Sequence, residues 1–419
     1  MINKKQLINQ AREIFKTNVV EGYSDWKKTS YRYIAPAKKG YPYQWLWDTG
    51  FQAIVLSHFD TNWAKNEIRN LLLVQDLDGF LPHVIFWDET MHTPLWASML
   101  SRDNLHVHTT NITQPPVLAI AIEEIYKRDK DKKFLKEVLP KIGKYHRYLL
   151  EMRDPDKTHL LSIISADESG MDELPIFQYA AGLKTNNVFL FHFYNRKADI
   201  LNKFNRYDIK KILEKDYFTL KEPFFNVIFI EACKSLSRLY LQIDNKTEAE
   251  YFKKQANKAM DALIALCWDT EENIFYPTYS KNNLKIPIKT IVSLAPLFLS
   301  DLDKQYVDLL VQKHLLNTEE FWLPYPLASV AKSEVFFDPS KLPFYWVKAL
   351  WRGPVWLNAN WLIIKGLQKH GYDTIADQII KKSAKLVAAE GFREYYNPFT
   401  GSGYGKENFG WSTLLLDLL

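Results

Sequence analysis

The chain has 419 residues, and its 54 basic and 49 acidic side chains leave a formal net charge of +5. Spread over this length, that is a weak surplus without a clustered basic face, which excludes a nucleic-acid partner. Hydrophobic residues make up 47% and aromatic residues 15%, enough for one large core with rings left over to line a site, while Cys233 and Cys267, neither in a CxxC pair, exclude a disulfide scaffold, a cysteine zinc site and a redox motif.

Taken in chain order, apolar spacing predicts helices near 3–16, 48–59, 61–75, 112–127, 132–152, 185–203, 224–242, 245–267, 289–299, 301–315, 354–369, 372–389 and 408–418. Strand-like alternation is scarce. The first helix opens on Met1-Ile2-Asn3-Lys4-Lys5-Gln6, which has no apolar stretch of signal type. No later segment reaches membrane-spanning length without charges, so a cytoplasmic protein with no membrane partner is expected. In 245–267, Ala249, Phe252, Ala256, Ala259, Leu263 and Leu266 recur at steps of three and four, as on an amphipathic helix. The segment 224–242 is apolar around much of its circumference and is expected to be buried between neighbours.

Alternation of buried and amphipathic helices is what two concentric layers would produce. Short links such as 128–131 and 370–371 suit antiparallel helix pairs, whereas long aromatic and Pro-rich segments occupy 23–47, 76–111, 155–184, 268–288 and 317–353. Their alternation with helix pairs suggests a toroid whose long loops gather at one end. With no flexible linker and no sequence repeat, a single domain over 1–419 is expected, with loop insertions around 76–111, 155–184 and 317–353.

Several loops carry chemistry. In Tyr41-Pro42-Tyr43-Gln44-Trp45-Leu46-Trp47-Asp48, Asp48 falls at a helix start, where it either caps free backbone donors or accepts from a sugar hydroxyl beside several rings. His83 follows the turn Asp78-Gly79 and is read as a structural histidine or one facing a pocket. His92, His106 and His108 lack a third ligand at a telling spacing, so no metal site is expected, and no cofactor. Gln114, in Asn111-Ile112-Thr113-Gln114-Pro115-Pro116, is equally able to bond a substrate or the backbone. Asp167, Glu168, Asp172 and Glu173 cluster around Gly170 without the one-three-five spacing of a calcium loop. Mutual repulsion in such a cluster can raise one carboxyl toward a general acid. Downstream, Arg352 between Trp351 and Trp356 reads as a charge aimed into a ring-lined cavity or as one stacked on tryptophan. Pro354 suits the first turn of the helix that follows. Near the C-terminus, Glu394 lies among Tyr395, Tyr396 and Trp411 on a glycine-broken loop, and a fixed carboxylate among rings is what holding and attacking a sugar requires.

These motifs together resemble glycoside hydrolase family 63, and more closely its compact members that hydrolyse glucosylglycerate or mannosylglycerate. The matching segments are Tyr41 to Asp48 (YPYQWLWD), Thr113 to Pro116 (TQPP), Glu168 to Asp172 (ESGMD), Trp351 to Trp361 (WRGPVWLNANW), Glu394 to Gly401 (EYYNPFTG) and Phe409 to Ser412 (FGWS). They follow family order and span nearly the whole chain. The resemblance implies an all-α fold, an (α/α)6 barrel, and an inverting α-glycosidase for a small α-glucoside or α-mannoside, with glucosylglycerate and mannosylglycerate as first candidates. It implies Asp172 as general acid and Glu394 as general base, with Glu168 and Glu173 as competitors for the acid role. Tyr43, Trp45, Trp47, Asp48, Gln114, Gly170, Trp351, Arg352, Trp356, Tyr395 and Trp411 would bind the sugar substrate, and Tyr395, Tyr396 and Arg352 are candidates for holding a charged glycerate. Two departures stand out: Glu173-Leu174-Pro175 follows Asp172 where relatives carry a small polar residue, and Gly410 stands where a serine is expected. A trehalase or short-oligosaccharide α-glucosidase is the alternative within the same chemistry. A sugar epimerase or a noncatalytic sugar-binding protein is the alternative outside it.

Overall fold

The periodicities resolve into helices, and the computed structural model, which describes residues 3–89, 94–103, 106–183, 188–340 and 350–419, is predominantly helical. In chain order the α-helices are α1 (Lys4–Asn18), α2 (Leu46–Ser57), α3 (Thr61–Leu72), α4 (Leu95–Met99), α5 (Leu118–Asp129), α6 (Lys132–Met152) and α7 (Pro175–Ala180). They continue as α8 (Val188–Phe204), α9 (Ile209–Lys215), α10 (Pro223–Gln242), α11 (Lys246–Cys267), α12 (Lys304–Leu309), α13 (Leu357–Lys369) and α14 (Asp373–Glu390). Tighter 3-10 helices occupy Ala166–Ser169, Ile291–Phe298 and Gly410–Leu418, and a π-helical stretch runs over Leu310–Leu315. Side chains start many of these elements. Asp60 accepts from Trp63 N–H ahead of α3, Asp131 from Lys133 and Phe134 ahead of α6, Glu222 from Phe224 and Phe225 ahead of α10, and Asn245 from Glu248 ahead of α11.

Two layers follow from where the apolar side chains fall. Helix α2 packs on α5, α5 on α10, α10 on Ile291–Phe298, that helix on α13, α13 on Gly410–Leu418, and Gly410–Leu418 back on α2, so six helices neighbour one another in a cycle. Every residue of α2 is buried, and α10 is buried over most of its circumference, as a helix enclosed by neighbours on all sides must be. Outside the cycle, α3 lies on α2, α6 and α11 on α10, Leu310–Leu315 on Ile291–Phe298, α14 on α13, and α1 on Gly410–Leu418. These outer helices keep one apolar stripe inward: in α11 it consists of Ala249, Phe252, Ala256, Ala259, Met260, Leu263 and Cys267. Among the described residues no helix is long and apolar enough to cross a membrane.

Differences from the sequence expectation have local causes. The helix expected at 112–127 begins at Leu118, because Ile112 O accepts from His83 N–H at 2.8 Å and Pro115-Pro116 keep the preceding chain out of helical geometry. Pro354 precedes its helix by three residues instead of sitting in its first turn: Val355 first pairs with Tyr396 in an antiparallel bridge. Two hairpins, Val19–Ser24 with Thr29–Ile34 and Arg393–Tyr396 with Gly403–Glu407, are not anticipated by the sequence pattern. In the first, Val19–Ser24 is mostly solvated and only Thr29–Ile34 alternates, over too few residues to stand out, and the second is interrupted by a register shift after Arg393. The short helices α4 and α7 also fall in segments expected to be long loops, and α9 falls between the helices expected at 185–203 and 224–242. Residues 185–187 of the expected helix 185–203, His92, and residues 341–349 of the expected loop 317–353 lie outside the described residues.

Candidate active site

Four of the five long loops, 23–47, 76–111, 155–184 and 317–353, converge on one cavity of about 220 Å³, whereas 268–288 supplies none of its lining among the described residues. Loop 76–111 supplies His83 and Trp96, loop 155–184 supplies Asp167, Gly170 and Asp172, and loop 317–353 supplies Leu350 and Trp351. The remaining wall comes from Pro36, Tyr41, Trp45, Trp47 and Asp48, from Gln114, from Arg196 on α8, and from Trp356, Glu394, Phe409 and Trp411.

Its rings form a continuous chain of contacts. Trp96 stacks on Trp45 at 5.7 Å, Trp45 meets Tyr41 edge-on at 6.1 Å, and Tyr41 meets Phe409 at 5.8 Å. Phe409 lies 4.2 Å from Trp411, Trp411 meets Trp356 at 5.8 Å, and Trp356 stacks on Trp351 at 3.8 Å and 8°. Such a wall offers the flat apolar faces against which sugar C–H groups pack. It is also punctuated by unsatisfied polar atoms. Asp48 Oδ1, His83 Nδ1, Trp45 Nε1 and Trp356 Nε1 are buried with no hydrogen-bond partner among the described residues, and buried polar groups left so need an explanation such as a ligand.

Five carboxyl groups lie in or against this wall, in different environments. Asp172 sits in the turn between Ala166–Ser169 and α7, and its side chain is partly exposed to the cavity. Burial within the protein, followed by the negative charge of Asp167, pushes its pKa up to about 7. Burial pushes the Asp167 carboxyl up as well, yet the Arg196 guanidinium outweighs it and holds Asp167 below the usual carboxylate range. That guanidinium donates to Asp167 Oδ2 at 2.7 Å and Oδ1 at 3.3 Å. Asp48 lies in the first turn of α2 and is not its N-cap, which is Trp45. Burial drives the Asp48 carboxyl well above its ordinary range, opposed by its own backbone N–H and reinforced by the charge of Glu394. Glu394, on strand Arg393–Tyr396, accepts from Tyr41 Oη–H at 3.1 Å through Oε1 and from Lys406 N–H at 2.9 Å through Oε2. Its own carbonyl oxygen accepts from Trp411 Nε1 at 3.0 Å. The fifth, Glu173, accepts from the backbone N–H of Leu350 and lies outside the cavity lining, with its pKa raised well above the ordinary value by burial and then by the charge of Asp172. His83, buried in the wall, has its pKa lowered by burial to about 4 and stays neutral at pH 7.

Of the residues expected to form the site, Trp45, Trp47, Asp48, Gln114, Gly170, Asp172, Trp351, Trp356, Glu394 and Trp411 line the cavity. Three lie elsewhere. Tyr43 turns toward Phe86, at 4.6 Å, and Trp96, because it follows Pro42 just before the two-residue strand Gln44–Trp45. Arg352 points behind the wall, where Nη2 donates to Gln178 Oε1 at 2.6 Å and burial lowers its pKa to about 10. Tyr395 backs the wall by stacking on Trp356 at 4.6 Å. Tyr396, considered for a carboxylate partner, donates its hydroxyl to Gly391 O at 2.7 Å and is fully buried. Glu168 is committed to structure: Arg153 donates to it at 2.5 and 3.0 Å, and the N–H groups of Thr113 and Ile164 do so at 3.0 and 2.8 Å. Gln114 meets its backbone reading, since its Oε1 accepts from Trp47 N–H at 3.2 Å, and the residue also lines the cavity.

Sequence reasoning did not single out Arg196, Trp96 or Phe409, and it treated Asp167 only as part of an acidic loop. The available signal for Arg196 was its spacing from Asp199, three residues on, which put opposite charges on one face of a helix otherwise rich in apolar residues. One of the two departures from the family pattern has a clear structural setting: a Cβ at Gly410 would lie 2.6 Å from Gln52 Nε2, so glycine at 410 makes room for Gln52 in α2. Gly170 is under a comparable constraint. It has φ of +71°, and a Cβ there would meet the Trp47 ring at 2.5 Å. Gly170→Ala is therefore expected to cost about 1–3 kcal/mol of stability and to displace Trp47, with the loss read by urea denaturation and by a raised KM.

For a chain with this cavity and this order of helices, similarity to known proteins gives the class: a glycoside hydrolase. The chain belongs to the family described as the mannosylglycerate hydrolase MGH1-like glycoside hydrolase domain, which its residues 41–412 match. It is 30% identical to a mannosylglycerate hydrolase of Thermus thermophilus over 91% of this chain and 95% of that protein. It is 26% identical to a glucosylglycerate hydrolase of Mycolicibacterium hassiacum over 89% of this chain and 90% of that one. The crystal structure of a family 63 mannosylglycerate hydrolase from Thermus thermophilus, in complex with Tris and D-glycerate, superposes with a TM-score of 0.83 at 29% identity, covering 98% of this chain and 99% of that one.

Proposed function

We propose that the protein hydrolyses a small α-linked glycoside of an acidic aglycone, with mannosylglycerate and glucosylglycerate as the first substrates, by inversion at the anomeric carbon. The observation that carries this reading is the contrast between two carboxyl groups of one cavity. Asp172 is driven toward its protonated form, while both oxygens of Glu394 are held as acceptors by Tyr41 and Lys406. An inverting hydrolase needs that division: the protonated carboxyl gives its proton to the leaving oxygen, and the ionised one takes a proton from the attacking water on the opposite face. Asp172 is thus the general acid and Glu394 the general base.

Trp45, Trp47, Trp351, Trp356 and Trp411 pack against the sugar, and Gly170 lets Trp47 approach the acid loop. Asp48, with its unpartnered Oδ1, bonds sugar hydroxyls. Gln114, its oxygen engaged by the Trp47 N–H, offers mainly its amide nitrogen. The relatives named for mannosylglycerate and glucosylglycerate support that substrate class. The same reading takes the six-membered helix cycle and its outer partners as an (α/α)6 toroid forming one catalytic domain over residues 1–419, with the cavity at the loop end.

The test is incubation of the purified protein with mannosylglycerate, glucosylglycerate, trehalose and α-linked disaccharides, following the released sugar by proton NMR. Release from a glycerate glycoside with the β-anomer appearing first is the expected result. The α-anomer appearing first would overturn inversion, and silence on the whole panel would overturn the substrate class. Asp48→Ala is expected to lower kcat/KM on the hydrolysed substrate about 10–100-fold, the effect of losing a hydrogen bond to a charged or strongly polar group.

A further inference from the structure

We infer that Asp167 is a positioning residue for the acid step: its carboxylate, clamped by Arg196 in the cavity wall, supplies the negative charge that makes Asp172 keep the proton it delivers. This rests on the reading of Asp172 as general acid.

The geometry fixes Asp167 tightly. Its two oxygens meet the two terminal nitrogens of Arg196 at 2.7 and 3.3 Å, and its N–H donates to Ser165 Oγ at 3.3 Å. Ser165 Oγ in turn donates to Asp199 at 2.6 Å, and Arg196 Nη1 reaches Asp199 at 2.8 Å. One guanidinium therefore reaches two acidic side chains and keeps Asp167 ionised. Asp172 follows on the same loop, across the left-handed turn at Gly170, and faces the same cavity. Two carboxyl groups whose surroundings push their proton affinities apart constitute an acid assignment, and here the ionised member is Asp167. The other charged or titratable groups that act on Asp172 or feel its charge include Glu394 from strand Arg393–Tyr396, Arg196 from α8, its neighbour Glu173, and Tyr41; His83 and Asp199 face Asp167, and burial followed by the Asp167 charge pushes the Asp199 carboxyl up to about 7 as well, so Asp199→Asn also tells its titration from that of Asp172. Glu394 and Glu173 reinforce the negative field, and Arg196 opposes it.

The sign of the expected shift follows directly. The protonated acid is the active form, so activity falls as pH rises through its pKa, and the alkaline limb of the kcat/KM profile marks Asp172. Removing the Asp167 charge makes Asp172 lose its proton more easily, which moves that limb to lower pH.

The experiment is the pH profile of kcat/KM for the wild type, Asp167→Asn, Asp167→Glu and Asp199→Asn, with Asp172→Asn alongside. Asp167→Asn is expected to bring the alkaline limb down by about one pH unit, and Asp167→Glu is expected to restore most of the shift. Asp199→Asn, which leaves Arg196 with one fewer anion to share and serves if Asp167→Asn does not fold, is expected to move the limb in the same direction. A limb unmoved in both asparagine variants overturns the inference. Asp172→Asn turning over with a wild-type alkaline limb overturns the acid assignment beneath it, an outcome distinct from the first.

Discussion

Asp172→Asn is expected to lower kcat by about 10³-fold, within the span usual for removing a positioned general acid, while binding of the intact glycoside changes by less than about threefold. Asparagine keeps the size of the side chain and loses the proton. The defect should therefore depend on the leaving group: a glycoside of an acidic phenol, which departs without protonation, should recover most of the rate. Glu394→Gln is expected to cost a comparable factor with no such recovery, because water still has to be deprotonated. Steady-state kinetics on the natural glycoside and an activated aryl glycoside, with binding measured by calorimetry, check both halves. Equal losses on the two substrates for Asp172→Asn would remove it from the acid role, and full activity of Glu394→Gln would remove the base.

The largest expected effect on stability lies one turn away, at Glu168. Its carboxylate and the Arg153 guanidinium are both essentially without solvent exposure, and the same carboxylate accepts the Thr113 and Ile164 N–H groups. Removing one member of such a pair leaves the other charged and buried, which costs about 3–5 kcal/mol. Glu168→Ala would also strand two backbone donors, so it is expected at the upper end of that range, with Arg153→Met at the lower end. Urea denaturation measures both. A loss under about 1 kcal/mol for Glu168→Ala would mean that the pair is not closed in solution. Because the bond from Thr113 ties the TQPP segment to the acid loop, the Glu168 variant should also lose activity in proportion to its loss of folded protein.

The helical frame was legible because burial leaves a period. The spacing of α6 gave its observed limits of 132–152, and the all-round apolar character of 224–242 anticipated an enclosed helix. What stayed hidden was governed by partners distant in sequence. The hairpin carrying Glu394 pairs Tyr395 with Tyr404 and Arg393 with Glu407 across a glycine-broken turn, and no periodicity announces so short and irregular a ladder. Nearly all the cavity residues read from motifs carry rings, carboxyls or an amide whose chemistry was visible in one dimension; Gly170 was visible through its motif alone. The setting of Arg352 was not legible because flanking tryptophans say nothing about which side of the wall a guanidinium takes, and Gln178, to which it donates, is 174 positions away. Arg196 was passed over for the same reason: its importance depends on Asp167, and only the fold brings α8 against that loop.

The site also has a history within each molecule's synthesis. Its wall begins at Pro36 and ends at Trp411, and the last stretch is bonded to the first through Gly410 N–H to Pro36 O at 2.8 Å and Asn18 Nδ2 to Asn408 O at 2.8 Å. Helix α2 cannot be enclosed until Gly410–Leu418 arrives. A chain emerging from the ribosome must therefore carry Trp45, Trp47 and the apolar face of α2 uncovered until residues 410–418 follow, the state in which exposed hydrophobic surface invites aggregation and chaperone capture. Hydrolytic activity would require the stretch 409–418 to be in place, which makes it a reporter of ring closure: stalled chains ending before Phe409 should bind chaperone and release no sugar.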